Sequence, residues 1–232
     1  MREFFQRASW NSIRIKIIIG LFFVTVPLLT LLIYSNYYSI DVVRNQVSIS
    51  NKNLISLYMG QIDTHLDAAE KNILGLVTNN YNVQSMEAPN DDDEYQLAKY
   101  NLSVNLSNNI IFYKSIDAFF IFNHERQDLL DVLQHSVSFS EKTEVEKYLI
   151  SYLSHATSSS ELPTANWYVK KIGDTNYVLR TIKSGSLYIG AWAKASTLLG
   201  PMNLIDLGTK GRALLITSQG EPMVNTDDRQ LK

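Results

Sequence analysis

Arg180 is the single charge on an otherwise apolar strand pattern, and aromatic residues cluster around it in sequence. A guanidinium in such a setting can hold a carboxylate through two parallel hydrogen bonds, with Trp167 as a wall. The bland alternative is an arginine stacked on Trp167 at a sheet rim, or paired with Asp117 or another acid. Tyr168, Tyr188 and Trp192 offer a second set, suited either to lining a sugar or small-organic pocket or to ordinary core packing. Trp167, Tyr168, Arg180, Tyr188 and Trp192 are therefore the candidate ligand-binding residues.

No bond-making chemistry is legible. The 4 histidines, His65, His124, His135 and His155, show neither HExxH nor any pair four apart. No GxSxG, P-loop or GxGxxG is present, so no catalytic residue, metal ligand or cofactor is expected. Asp63 and Asp67 read as a solvated helix face. The run Asp91–Glu94 invites a calcium reading, yet it lacks the alternating ligands and glycine of a calcium loop. A solvated loop that caps the next helix with negative charge also explains it. With 0 cysteines there is neither a disulfide framework nor thiol chemistry.

The strands that must position the candidates are Asn166–Ile172, Thr175–Ile182 and Ser186–Lys194, separated by Gly173-Asp174 and Ser184-Gly185. Two-residue loops predict an antiparallel meander with Trp167 opposite Arg180 and Tyr177 opposite Trp192. Even loops preserve faces. One face then carries Trp167, Val169, Val178, Arg180, Ile182, Leu187, Ile189 and Ala191; the other carries Tyr168, Tyr177, Leu179, Thr181, Tyr188 and Trp192. Both are too apolar for water, so both need a cover: a long helix on one, and helix, loop or a ligand cavity on the other.

That long helix is read from Ile40, Val43, Val47, Leu54 and Leu57, then from a second frame, Ile62, Leu66, Ala69, Ile73 and Leu76, ending at Asn79-Asn80. A second helix is expected over Tyr95–Tyr113 with Leu97, Val104 and Ile111 on one side. A β-rich run, Ile116–Phe122, turns at Asn123–Gln127 into Asp128–Leu133. Ser140 can cap a helix carrying Val145, Leu149 and Tyr152. A short helical stretch, Ala195–Asp206, precedes a final hairpin.

Before all of this lies Ile17–Tyr34, an uncharged run of 18 residues. It follows Arg2, Arg7, Arg14 and Lys16, against Glu3. It is long enough to span a bilayer, and the positive-inside bias puts residues 1–16 in the cytoplasm and the rest outside. A cleaved signal peptide is the rival, but the run is longer than a signal's core and lacks a small-x-small exit. The chain carries −2 in all and its first 34 residues +3, which leaves −5 for the exported part. That argues against a nucleic-acid partner.

The anchor and long helix, NSIRIKIIIGLFFVTVPLLTLLIY and YYSIDVVRNQVSISNKNLISLYMGQIDTHLDAAEKNIL, resemble the amino-terminal region of LytS/YesM-type sensor histidine kinases. The later segments, IDAFFIFN, NWYVKK, YVLRTIKSGSLYIGAW and GRALLITSQGEPM, are similar to a Cache sensor fold. The resemblance implies an α+β extracytoplasmic module in which a membrane helix continues into a long helix packed on a PAS-like antiparallel sheet. It implies a leader at 1–16, a span at 17–34, a sensor module at 35–206 and the start of a further module at 207–232. It also implies a small-molecule ligand, a homodimer in the cell membrane and a parent kinase acting on a response regulator. The same ectodomain could instead serve an AraC-type regulator, a chemoreceptor or a non-signalling anchored binding domain. A second span and the kinase parts are expected beyond Lys232. Amino-acid-binding Cache domains carry an arginine shortly before the Trp-Tyr pair. Here Thr164-Ala165-Asn166 precedes Trp167-Tyr168, which counts against an amino-acid ligand.

Overall fold

The computed structural model describes residues 13–156, 166–200, Met202, Ile205, 214–216 and 222–225. Most of the leader, Thr164-Ala165 and most of the segment 207–232 therefore lie outside the described residues. The chain divides into two units, Met1–Asn53 and Leu54–Lys232.

The described part of the first unit belongs to helix α1, Ile13–Asn79. By length and composition this helix can cross a membrane. Its large apolar side chains from Ile17 to Tyr34 are exposed, as lipid contact requires. Thr25 and Thr30 turn their hydroxyls back onto the carbonyls of Leu21 at 2.7 Å and Val26 at 2.9 Å, so neither needs water.

In the second unit, α1 buries Ile62, Ala69, Ile73 and Leu76, one stripe at helical spacing. The second sequence frame is thus the one that packs. Asn80 ends α1 and caps α2, Tyr81–Glu87, by accepting from the amides of Asn82 and Val83. Asp91 caps α3, Asp92–Asn109, accepting from Glu94 N at 2.7 Å. A 3₁₀ turn, Ile110–Phe112, follows.

The face of α3 corrects the sequence reading. Leu97, Val104 and Ile111 are 60%, 41% and 54% exposed, and the buried stripe is Tyr95, Ala98, Leu102 and Leu106. Both stripes have helical spacing. The core takes the one whose tyrosine hydroxyl can donate to Asp128 at 2.8 Å and whose alanine permits close approach.

Strands β1, Ala118–Asn123, and β2, Asp128–Leu133, form the expected hairpin. Helix α4, Phe139–His155, is capped by Ser138 rather than Ser140, because Glu141 stands three residues on and closes a reciprocal capping box. Then come β3 (Tyr168–Ile172), β4 (Thr175–Ser184) and β5 (Leu187–Lys194). Helix α5 is Ala195–Leu199, and much of the remainder of the expected stretch Ala195–Asp206 lies outside the described residues. Strands β6, Leu214–Ile216, and β7, Pro222–Asn225, pair as the final hairpin.

The main sheet has the order β2-β1-β5-β4-β3, antiparallel throughout. The fold is α+β, a long helix against a five-stranded antiparallel sheet, as the sequence implied. The first meander turn is Gly173-Asp174 as expected. The second is Gly185-Ser186, so Trp192 faces Leu179 and Tyr177 faces Lys194. The reason is conformational: Gly173 and Gly185 have φ of +58° and +53°, and both take the first central position of a two-residue loop. The slip is even, so every residue keeps its expected face.

One face, with Val178, Ile189 and Ala191, packs on α1, α2 and α3. The other, with Tyr177, Leu179, Tyr188 and Trp192, packs on Val145, Leu149 and Leu153 of α4. Gly190 lies where β1 and β4 flank β5, and a Cβ there would collide with the Arg180 carbonyl and meet the Phe120 ring at 2.5 Å.

Candidate functional site

The five candidate residues fall on opposite sides of the sheet. Trp167 and Arg180 belong to the α1 side; Tyr168, Tyr188 and Trp192 belong to the α4 side. A single pocket cannot gather all five.

Arg180 is 5% exposed. Its Nη2 and Nε donate to Glu70 Oε1 of α1 at 2.7 Å and 3.2 Å. The partner is therefore an acid of α1. Asp117 serves elsewhere: it accepts from Lys194 N at 2.6 Å where β5 enters α5, and burial pushes its carboxyl up. Trp167 packs against the α1-side core, with its indole N–H buried and lacking a hydrogen bond among the described residues.

On the α4 side, Trp192 is 2% exposed and meets Tyr177 edge to face at 5.4 Å, which is core packing. Tyr168 has a buried hydroxyl close to that of Thr181, but neither makes a well-formed hydrogen bond among the described residues. Burial, opposed by Thr181, pushes the Tyr168 phenol up to about 12. Tyr148 and Tyr152 of α4 stack beside it with centroids 5.4 Å apart. Buried hydroxyls without partners are rare and mark places where water or a ligand belongs.

Tyr188 borders a cavity of about 310 Å³ lined by His124, Glu125, Ala156, Lys183, Gly185, Ser186 and Tyr188. Two turns build it. The β1–β5 pairing places the β1–β2 turn beside the β4–β5 turn, and His124 N donates to Ser186 O at 2.9 Å. Asn123 Oδ1 accepts from the amides of Glu125 and Arg126, both at 3.0 Å, and so holds the first turn. Tyr188 donates its hydroxyl to Ala156 O at 3.0 Å, leaving the ring as an apolar wall. His124 lies edge to face with that ring at 6.1 Å, and Lys183 Nζ stands 5.5 Å from its centre.

The cavity thus combines a cation, a carboxylate, an imidazole, a hydroxyl and an aromatic face. Of its residues the sequence reading singled out only Tyr188. His124 stood within one recognised turn and Lys183 next to another, but nothing local shows that those turns meet. Among the described residues no group of acids and histidines could hold a metal ion.

No family model matches the chain, and no curated protein matches it. Similar solved structures include the sensory domain of the Campylobacter jejuni chemoreceptor Tlp3 with isoleucine bound (TM-score 0.41, 11% identity, 81% of this chain and 71% of that one). The ligand-binding domain of the same receptor appears in complex with 4-methylisoleucine (TM-score 0.42, 13% identity, 81% and 69%). It appears also with L-valine (TM-score 0.41, 11% identity, 81% and 71%). At that level of likeness no residue of one chain is matched to a residue of the other.

Proposed function

We propose that this chain is the ligand-sensing region of a membrane-bound signalling protein, with residues 17–34 as its span and 35–206 as an extracytoplasmic, Cache-type module. Residues 1–16 are then cytoplasmic, and 207–232 begin a membrane-proximal module. The observation that carries the reading is α1: one helix contains both the apolar run and the stripe Ile62, Ala69, Ile73 and Leu76 buried against the sheet. A ligand that favours one seating of the sheet on that stripe biases the same helix that enters the membrane. The output we assign is a histidine kinase of the LytS/YesM type, working as a homodimer on a response regulator. In the parent protein, a disruptive change at Leu54 or Leu57 uncouples signalling while sparing ligand binding.

The test is thermal denaturation of the detergent-solubilised chain against sugars, oligosaccharides, amino acids, carboxylates and calcium. A binder at 100 times its dissociation constant adds about 2.7 kcal/mol, which raises Tm by several degrees. A flat panel on a cooperatively folded chain contradicts ligand sensing.

A further inference from the structure

The ligand class follows from hydrogen-bonding capacity left over in the cavity between the two turns, given the ligand-sensing reading on which this rests. Lys183 has no carboxylate within ion-pair distance among the described residues, and its ammonium stands near the Tyr188 ring. The Ser186 hydroxyl is buried and unpartnered among the described residues. Together they offer donors to an anion. The His124 Nδ1 meets the Leu153 carbonyl at 3.1 Å. A carbonyl only accepts, so Nδ1 carries a proton and Nε2 of the neutral ring is an acceptor. Glu125, on the exposed rim, is a second acceptor.

A bare carboxylate satisfies the donors but leaves both acceptors facing it. A neutral polyol satisfies the acceptors but leaves the lysine charge without a counterpart. A carboxylate with a hydroxyl on the adjacent carbon uses both sets, and about 310 Å³ accommodates it easily. We propose that this cavity binds a small 2-hydroxy carboxylate. Its carboxylate is held by Lys183 and Ser186, its hydroxyl donates to His124 Nε2 or Glu125, and its carbon skeleton lies on Tyr188.

Calorimetric titration of the detergent-solubilised chain with glycolate and with its neutral amide, glycolamide, tests this. Glycolate is expected to bind and glycolamide to bind at least about tenfold more weakly, since a hydrogen bond to a charged group is worth about 1.5–3 kcal/mol. Lys183→Gln and Ser186→Ala should each weaken glycolate. Lys171→Gln, an exposed lysine of β3 outside the cavity, should not. Equal affinity for acid and amide, no binding of glycolate, or undiminished binding to Lys183→Gln overturns the assignment. A different compound class that stabilises the chain in the broad panel would overturn it too, while leaving the sensing reading intact.

Discussion

Glu70 of α1 and Arg180 of β4 lie 110 positions apart and are joined at 2.7 Å, so a buried charge on the sheet's α1 side is bound to the helix beneath it. The pair ties the two layers whose relative seating the proposed signal would alter. Removing Glu70 takes away the carboxylate that accepts from two nitrogens of a 5% exposed guanidinium. Glu70 keeps 28% side-chain exposure, so water screens part of the loss.

Glu70→Ala should therefore destabilise the chain by about 1–2 kcal/mol, less than a fully buried pair would cost. A double-mutant cycle with Arg180→Ala in urea should return a coupling of about 1 kcal/mol. Additive single effects would mean that the contact contributes nothing to stability.

Gly190→Ala should cost about 1–3 kcal/mol, because the new methyl meets the Arg180 carbonyl and the Phe120 ring where neither can recede without moving a strand. Combining it with Phe120→Leu should recover less than half, since the carbonyl remains. An unchanged denaturation midpoint for Gly190→Ala would contradict the close β4–β5 approach.

The acid side of the stability profile should depend on Asp128. Burial alone would raise its carboxyl, but hydrogen bonds from Lys99 at 2.7 Å and 2.6 Å and from Tyr95 outweigh that and hold it below the usual carboxylate range. A depressed folded-state value means the unfolded chain binds more protons. Its contribution is then present above the ordinary carboxylate range and is lost as pH falls below about 4. Lys99→Met should flatten the stability slope in that acid window. A slope equal to wild type would contradict this origin of the shift.

Tyr168→Phe removes a buried hydroxyl that makes no well-formed bond among the described residues. The unliganded chain should be unchanged or stabilised by up to about 1 kcal/mol. A loss larger than 1 kcal/mol, read from urea denaturation, would reveal a structural partner for that oxygen.

Local patterns made much of this fold legible. Alternation fixed the faces of β3, β4 and β5, and because moving the turn by one residue shifts the cross-strand pairing by two, Tyr188 and Arg180 still landed on their expected sides. The glycine at the first loop position carried the correct frame, through its left-handed φ of +53°. Other features depend on contacts that no window of sequence contains. Phe120 pairs with Gly190 across the centre of the sheet, and only that pairing brings His124 to Ser186 and creates the cavity. Helix α3 is amphipathic on two sides, so the choice of Tyr95 over Leu97 is made by Asp128, a residue of another element. Trp167, just before β3, and Tyr168, its first residue, face opposite sides of the sheet and could not share a pocket wall.

The proposed signal is a reseating of the sheet on α1 when ligand binds. Because the chain has 0 cysteines, spin labels at Asp63→Cys on α1 and Lys171→Cys on β3 report that distance without background. Both positions are exposed. With the best stabilising compound of the thermal panel at saturation, pulsed electron–electron resonance should show the distance distribution shift between two populations. An unchanged distribution, with binding verified on the labelled protein, would contradict the account.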